Sequence, residues 1–101
     1  MKDVKVGDIL AGRWGYSMVL YAFYEVEKVT EKQVALRELN KRSLGGEQWS
    51  ERVEPVLGST YDKRKFRVRN DITKDYLWDS KLRSLIYPYD PNREYIENHM
   101  D

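Results

Sequence analysis

The stretch "VLYAFYEVEKVTEKQVALREL", residues 19–39, decides the fold class that we predict for this chain. Its first half is rich in β-branched and aromatic residues, and apolar and charged side chains alternate from Tyr24 onward, which is typical of a β-strand. The polar residues 30–33, "TEKQ", separate it from a second alternating run at 34–39. Two alternating runs joined by a short polar segment predict an antiparallel hairpin.

Further short strands are predicted on both sides of this hairpin. Gly7 and Asp8 suit a tight turn near the start of the chain, since glycine tolerates positive φ and aspartate bonds nearby backbone N–H groups. The segment "KRKFRVR", residues 63–69, alternates again. About five short strands predict a mainly-β fold, a small antiparallel sheet partly closed into an SH3-like or OB-like barrel, because closure removes exposed sheet edges.

Residues 75–87 allow two interpretations. Trp78, Leu82, Leu85 and Ile86 recur with helical spacing, which predicts one short helix near the C-terminus. The tetrapeptide "WDSK", residues 78–81, would equally form the turn of another hairpin. Both interpretations stay open at this point.

The chain length predicts a single small β-rich domain over residues 1–101, large enough for one modest core. A composition of 41% hydrophobic and 35% charged residues is typical of a globular protein rather than a disordered one. Residues 40–52 are polar around Gly45 and Gly46 and are predicted to form a flexible loop. Residues 90–101 contain four acids and one arginine and are predicted to be a fraying acidic tail.

Catalytic and metal-binding chemistry has little support in the residues. The chain has no cysteine, and its one histidine, His99, stands in the predicted tail. We therefore expect no enzyme activity, no cofactor and no metal. The absence of cysteine suits a reducing cytoplasm, and no apolar run is long enough to span a bilayer. We expect a cytoplasmic protein without a membrane partner.

The charge distribution favours binding through a local charged patch rather than attraction of ligands by the net charge of the whole molecule. The formal net charge is +1, from 18 basic and 17 acidic residues, so charge-driven binding requires a local cluster. Five of the seven residues in "KRKFRVR" are basic. On a strand, one face of this segment would carry Lys63, Lys65, Arg67 and Arg69, and the other would carry Arg64, Phe66 and Val68.

This basic row has two interpretations. Four like charges repel unless a polyanion or an acidic protein surface lies opposite, which predicts a site for nucleic acid or an acidic partner. A solvated edge strand would carry the same lysines to prevent sheet-to-sheet aggregation, and Glu25, Glu27 and Glu31 would neutralise the row from within the molecule.

Trp14 and Tyr16 are the candidate aromatic contacts to a base or sugar. Gly15 stands between them and leaves their geometry open, because a glycine in a strand marks a bulge or a close backbone approach. Their alternative role is in the core.

The motifs "VGDIL", "WGY", "FYEV", "LREL" and "WDSK" resemble a pattern shared by small uncharacterised proteins of bacterial phages and plasmids. The matching positions are Gly7, Asp8, Ile9, Trp14, Gly15, Tyr16, Phe23, Tyr24, Val26, Val29, Thr30, Leu36, Arg37, Glu38, Leu39, Pro55, Val56, Trp78, Asp79 and Lys81. The resemblance implies a mobile-element origin and favours the turn at 78–81, but it brings no activity. The chain departs from the pattern at residues 17–20, where relatives are polar, and at Ser80, where they have glycine.

One hypothesis and two alternatives follow. The first is a non-enzymatic accessory binding protein of a phage or plasmid, associated with nucleic acid through the row of Lys63, Lys65, Arg67 and Arg69. The second is a protein-binding inhibitor of a host or defence nuclease, comparable to an anti-CRISPR protein, in which the same row meets an acidic surface. The third is a virion-associated structural component.

Overall fold

The computed structural model describes residues 4–15, 18–47, 49–70 and 74–98. These described residues contain ten β-strands and no helix. The strands are β1 (Ile9–Trp14), β2 (Leu20–Val29), β3 (Gln33–Leu39), β4 (Lys41–Glu47), β5 (Ser50–Pro55), β6 (Asp62–Arg67), β7 (Arg69–Asn70), β8 (Asp75–Asp79), β9 (Ser84–Pro88) and β10 (Tyr95–Asn98). The predicted mainly-β fold is confirmed, with more strands than the sequence pattern indicated.

Seven strands form one antiparallel sheet in the order β6-β3-β2-β1-β9-β8-β7. β6 and β7 lie at opposite edges of this sheet, yet only Val68 separates them in the chain. The Val68 N–H donates to the carbonyl oxygen of Lys32 at 2.8 Å, and the chain then leaves β3 and pairs with β8. The sheet must therefore curl until its two edges approach each other, which gives the partly closed, barrel-like shape predicted from the sequence.

The predicted hairpin is β2–β3, with Phe23 opposite Leu39 and Val26 opposite Leu36. A bulge between Val26 and Lys28 inserts one residue into β2. Regular alternation would place Lys28 on the face of Val26, but the bulge pairs it with Ala35 and turns it to the outer face. A bulge of this kind leaves no trace in the alternation of the sequence.

β2 is apolar on both faces because it is covered on both faces. Ala22, Tyr24 and Val26 belong to a core inside the curved sheet. Tyr21 and Phe23 belong to a second core, which lies between the outer face of the curved sheet and a small sheet of order β10-β5-β4. The rings of Phe23 and Tyr95 meet edge to face in this second core, with centroids 5.4 Å apart. The aromatic run in β2 is therefore interior.

Residues 40–52, predicted as a flexible loop, form most of the β4–β5 hairpin instead. Every residue of β4 is exposed, so no apolar alternation marks this strand in the sequence. A bulge between Ser43 and Gly45, with Gly45 at φ 98°, interrupts its pairing. A Cβ at Gly46 would lie 2.3 Å from the carbonyl oxygen of Ser50, so glycine is required where the two strands approach.

The prediction of a fraying tail over residues 90–101 is wrong for residues 90–98. β10 pairs with β5, and Tyr95 and Glu97 are buried. The Glu97 carboxylate accepts hydrogen bonds from the Tyr21 N–H and the Lys41 ammonium. An acid that sequence reasoning assigned to a solvated tail is therefore an internal hydrogen-bond acceptor. His99 lies outside the described residues.

Residues 75–87 form the β8–β9 hairpin, so the interpretation as a helix is wrong. Asp79 Oδ1 accepts the backbone N–H groups of Lys81 and Leu82 at 3.0 and 3.1 Å, which closes the turn. Leu77 and Ile86 face each other across the two strands and are both buried. None of the described residues form a helix long and apolar enough to cross a bilayer.

Candidate functional site

The outer face of β6 presents the basic row to solvent. Lys63, Lys65 and Arg67 are all exposed, and the residues between them, Arg64 and Phe66, turn inward. β6 is an edge strand of the curved sheet and pairs with β3, which places Lys65 opposite Ala35 and Arg67 opposite Gln33. The segment is thus a strand with a basic outer face, as its alternation indicated.

The carboxylates on this face neutralise only part of the row. Glu27 lies 3.7 Å from the Lys63 ammonium, and Glu25 lies 2.6 Å from the guanidinium of Arg37 on β3. Within the described residues, the side chains of Lys65 and Arg67 have no ion pair and no hydrogen bond. The same holds for Lys28, which the bulge in β2 brings to this face. These three unmatched cations, Lys28, Lys65 and Arg67, are called the outer basic patch below.

Lys28 is the member of this patch that sequence reasoning missed. A shallow depression of about 60 Å³ lies between Lys28 and Lys65, and the small side chain of Ala35 forms part of its lining. Thr30 and Gln33 complete that lining and add polar groups. The outer basic patch is therefore broader than one strand. Its cations lie on β2 and β6, and β3 lies between these two strands.

Arg69 does not continue the row. Because the chain crosses to β8 at Val68, Arg69 lies on β7 at the opposite edge of the sheet, where it pairs with Tyr76. Its guanidinium donates to the Ser80 hydroxyl at 3.2 Å. The row predicted to contain four cations on one face contains three.

The aromatic candidates are not on the outer basic patch. Trp14 ends β1, is half-buried and packs against the core inside the curved sheet. It pairs with Leu20 at the start of β2, whereas Arg67 lies beside the other end of the β2–β3 hairpin. Tyr16 lies outside the described residues.

The inner face of β6 carries one cation, Arg64, which is fully matched. Its guanidinium donates two hydrogen bonds to Asp79, at 2.9 and 2.7 Å, and one to Glu38 at 3.0 Å. The Tyr24 hydroxyl donates to Asp79 at 2.7 Å. Asp79 is fully buried, and the side chain of Arg64 is only 21% exposed. In the described part of the sheet β6 pairs with β3 alone, so these side chains bridge the seam between β6 and β8.

The pKa shifts in this network favour the ionised forms of Arg64 and Asp79. The hydrogen bond to Asp79 raises the pKa of Arg64, although burial opposes it. Burial also acts to raise the pKa of Asp79, but the hydrogen bonds from Arg64 and Tyr24 outweigh it and hold that pKa below its usual value. Burial raises the pKa of Tyr24, and the bond to Asp79 raises it further. Burial likewise raises the pKa of Glu38, and attraction to Arg64 offsets this only in part.

A groove of about 510 Å³ opens at the end of the barrel where β6 begins. Its lining includes Trp14, Glu38, Tyr61, Lys81 and Leu82. Tyr61, which immediately precedes β6, is 68% exposed. Sequence reasoning missed this tyrosine, although it stands only two residues before Lys63, the first cation of the basic row.

A larger groove of about 710 Å³ is lined mainly by apolar side chains from β1, β8 and β9. Leu57 and Leu85 are among its lining residues and are exposed. This groove carries few charges, in contrast to the outer basic patch.

A search for metal ligands and three comparisons with known proteins complete the description of the site. In the part of the chain that the structure describes, no three acidic or histidine side chains converge as metal ligands. No protein-family model, no curated protein and no solved structure matches this chain. Its function therefore has to follow from the geometry of these surfaces.

Proposed function

We propose that this protein is a non-enzymatic accessory module of a phage or plasmid that binds nucleic acid through the outer face of β6. The observation that carries the proposal is the outer basic patch. Lys28, Lys65 and Arg67 are exposed and lack a carboxylate partner among the described residues, in a molecule whose net charge is only +1. The resemblance to small phage and plasmid proteins supports the biological setting.

The geometry suits contacts with a phosphate backbone. Alternate residues on a strand are about 6.7 Å apart, so Lys65 and Arg67 continue the line that Lys63 begins, and Lys28 lies beside Lys65 across a shallow depression. Binding phosphates to such a line releases counterions and gives an affinity that depends on salt but not on sequence. The patch itself carries no aromatic side chain, so its contribution is to affinity and register rather than to base recognition.

Fluorescence anisotropy across a salt series tests the proposal. Labelled single-stranded and double-stranded oligonucleotides are titrated with the protein from low to moderate salt. Three phosphate contacts predict a slope of log K against log salt of about −2.7 for a duplex and about −2.1 for a single strand. A protein that leaves the anisotropy of both probes unchanged at tens of micromolar in low salt would overturn the proposal.

A matched pair of charge reversals localises the contact. Lys65→Glu combined with Arg67→Glu should abolish binding at moderate salt. Lys5→Glu combined with Arg13→Glu changes the total charge by the same amount at exposed positions outside the patch, and should change binding little. Equal losses in the two double variants would mean that only the net charge matters and not the patch.

The apolar groove favours a second candidate, a protein-binding inhibitor of a host or defence nuclease. Apolar side chains that are buried on association form the centre of protein interfaces, and Leu57 and Leu85 are available for this in the groove. The test is protection of a transformed plasmid from a co-expressed nuclease. If the apolar groove binds the nuclease, Leu85→Glu should lose protection and the charge reversals at Lys65 and Arg67 should keep it. If the charge reversals lose protection and Leu85→Glu keeps it, the result supports binding through the outer basic patch.

A further inference from the structure

Tyr61 places the groove at the end of the barrel next to the start of the basic row. The Tyr61 N–H donates to the carbonyl oxygen of Glu38 at 2.7 Å, and Glu38 is also the residue opposite Asp62, so Tyr61 is held against β3 just before β6 begins. Tyr61 stands two residues before Lys63, the first cation of the row. A ring that is 68% exposed therefore lies just before the three outward cations of β6.

The size and walls of the groove suit one aromatic ring system. A volume of about 510 Å³ falls within the range of small-ligand sites. Tyr61 and Trp14 both line it, and Leu82 adds apolar surface. Aromatic side chains at the edge of a basic surface are typical platforms for stacked bases.

The groove also contains polar groups that can form further hydrogen bonds or ion pairs. Glu38 accepts the Arg64 hydrogen bond through Oε1, and its second oxygen, Oε2, makes no hydrogen bond with the described residues. A carboxylate oxygen of this kind accepts from the exocyclic amino group of a base, as glutamate does from cytosine. Lys81 is exposed in the same groove, and its ammonium has no ion pair in the described part of the chain. This ammonium is available to an anionic group of a ligand.

We infer that this groove holds one unstacked base of a single-stranded nucleic acid, with its ring against Tyr61 and Trp14 and its neighbouring phosphates along Lys63 and Lys65. The inference rests on the proposed function and adds the class of ligand to it. A base inside a duplex is stacked and paired, so only a single strand or a strand end can place a base in the groove.

Paired probes separate the base from the phosphates. The first probe is a labelled single-stranded oligonucleotide, the second has the same length and phosphates but abasic central nucleotides, and the third is the matching duplex. The wild-type protein should bind the first about tenfold more tightly than the second, since one stacked base contributes roughly 1–3 kcal/mol. Tyr61→Ala should bind both single strands with the weaker affinity and keep the salt slope.

Control variants distinguish stacking from damage to the fold. Tyr61→Phe keeps the ring and should restore the preference for the intact strand. Trp49→Ala removes another exposed aromatic, 54% exposed beside the β4–β5 hairpin, and should change nothing. The wild type could bind nucleic acid with the expected salt slope without distinguishing the intact from the abasic strand. That result would overturn the base site in the groove and leave the proposal for the outer basic patch standing. If the wild type binds none of the probes, both proposals fall.

Discussion

Arg64 and Lys65 are neighbours on β6 and carry the same charge, but they lie in opposite environments. Arg64 points into the barrel, donates three hydrogen bonds to Asp79 and Glu38, and lies 5.0 Å from the centre of the Phe66 ring. Lys65 points outward opposite Ala35 and has no partner in the described residues. One cation is thus part of the fold, and the other is available to a ligand.

This difference shows that the number of cations in a segment says little about binding. The inner arginine is matched by carboxylates from β3 and β8, which are remote in the chain. Among the described residues, Glu27 forms an ion pair with Lys63 of the outer row, and Glu25 on the same face is occupied by Arg37. A surface becomes a candidate site where the fold supplies fewer counter-charges than cations.

The largest expected effect is the loss of the inner cation. Arg64→Met removes the guanidinium but keeps most of the side-chain length, and it leaves the fully buried Asp79 carboxylate without its counter-charge. Breaking a buried pair from one side costs about 3–5 kcal/mol of unfolding free energy. Urea denaturation measures this loss, and a change below about 1 kcal/mol would mean that the network does not hold the seam between β6 and β8.

A smaller loss is expected from Tyr24→Phe. This change removes only the hydroxyl that donates to Asp79, while the ring keeps its edge-to-face contact with Phe66. A hydrogen bond to a charged group contributes about 1.5–3 kcal/mol, and Arg64 still binds the carboxylate, so a loss near the lower value is expected. A double-mutant cycle of Tyr24→Phe with Arg64→Met should show coupling, because both side chains act on Asp79.

The fold was largely predictable because the alternation of residues 19–39 and 63–69 is local information. The half-barrel and the β2–β3 hairpin follow from it. The β4–β5 hairpin was missed because every residue of β4 is exposed, and β10 was missed because its acid, Glu97, is buried by hydrogen bonds from the distant Tyr21 and Lys41. Pattern reasoning assumes that apolar residues mark the interior, and both segments break that assumption.

The candidate site was predictable only in part. Lys63, Lys65 and Arg67 share a face as the period of a strand requires. Arg69 leaves that face because the chain changes its pairing partner at Val68, and Lys28 joins it because of a bulge. Both effects depend on which strands lie next to each other, and no local pattern contains that information.

The pH dependence of stability sharpens the comparison between Asp79 and Glu38. The folded-state pKa of Asp79 lies below its ordinary value, 3.8, so the unfolded chain takes up the proton first and stability falls as the pH drops through and below 3.8. Burial raises the pKa of Glu38 above 4.5, so the folded protein takes up that proton first, and stability rises as the pH falls from neutral toward 4.5.

Thermal unfolding from pH 7 to pH 3 measures both contributions. Asp79→Asn should reduce the loss of stability that occurs as the pH drops below 3.8. Glu38→Gln should reduce the gain of stability that occurs as the pH falls from neutral toward 4.5. If the two variants follow the wild-type curve, the carboxyl groups of this network do not control the acid stability.

The smallest effect on stability is expected at Lys65. Lys65→Met is the same kind of change as Arg64→Met on the next residue of the strand, but the side chain it removes has no partner in the described residues and faces solvent. Surface substitutions of this type change the unfolding free energy by about 0.5 kcal/mol or less.

Nucleic-acid affinity should nevertheless fall in Lys65→Met, and the salt slope should become shallower by about one phosphate contact. A Lys65→Met protein that is clearly destabilised but binds with the wild-type slope would reverse the assignment, because the outer cation would then support the edge of the sheet and the ligand would contact another surface.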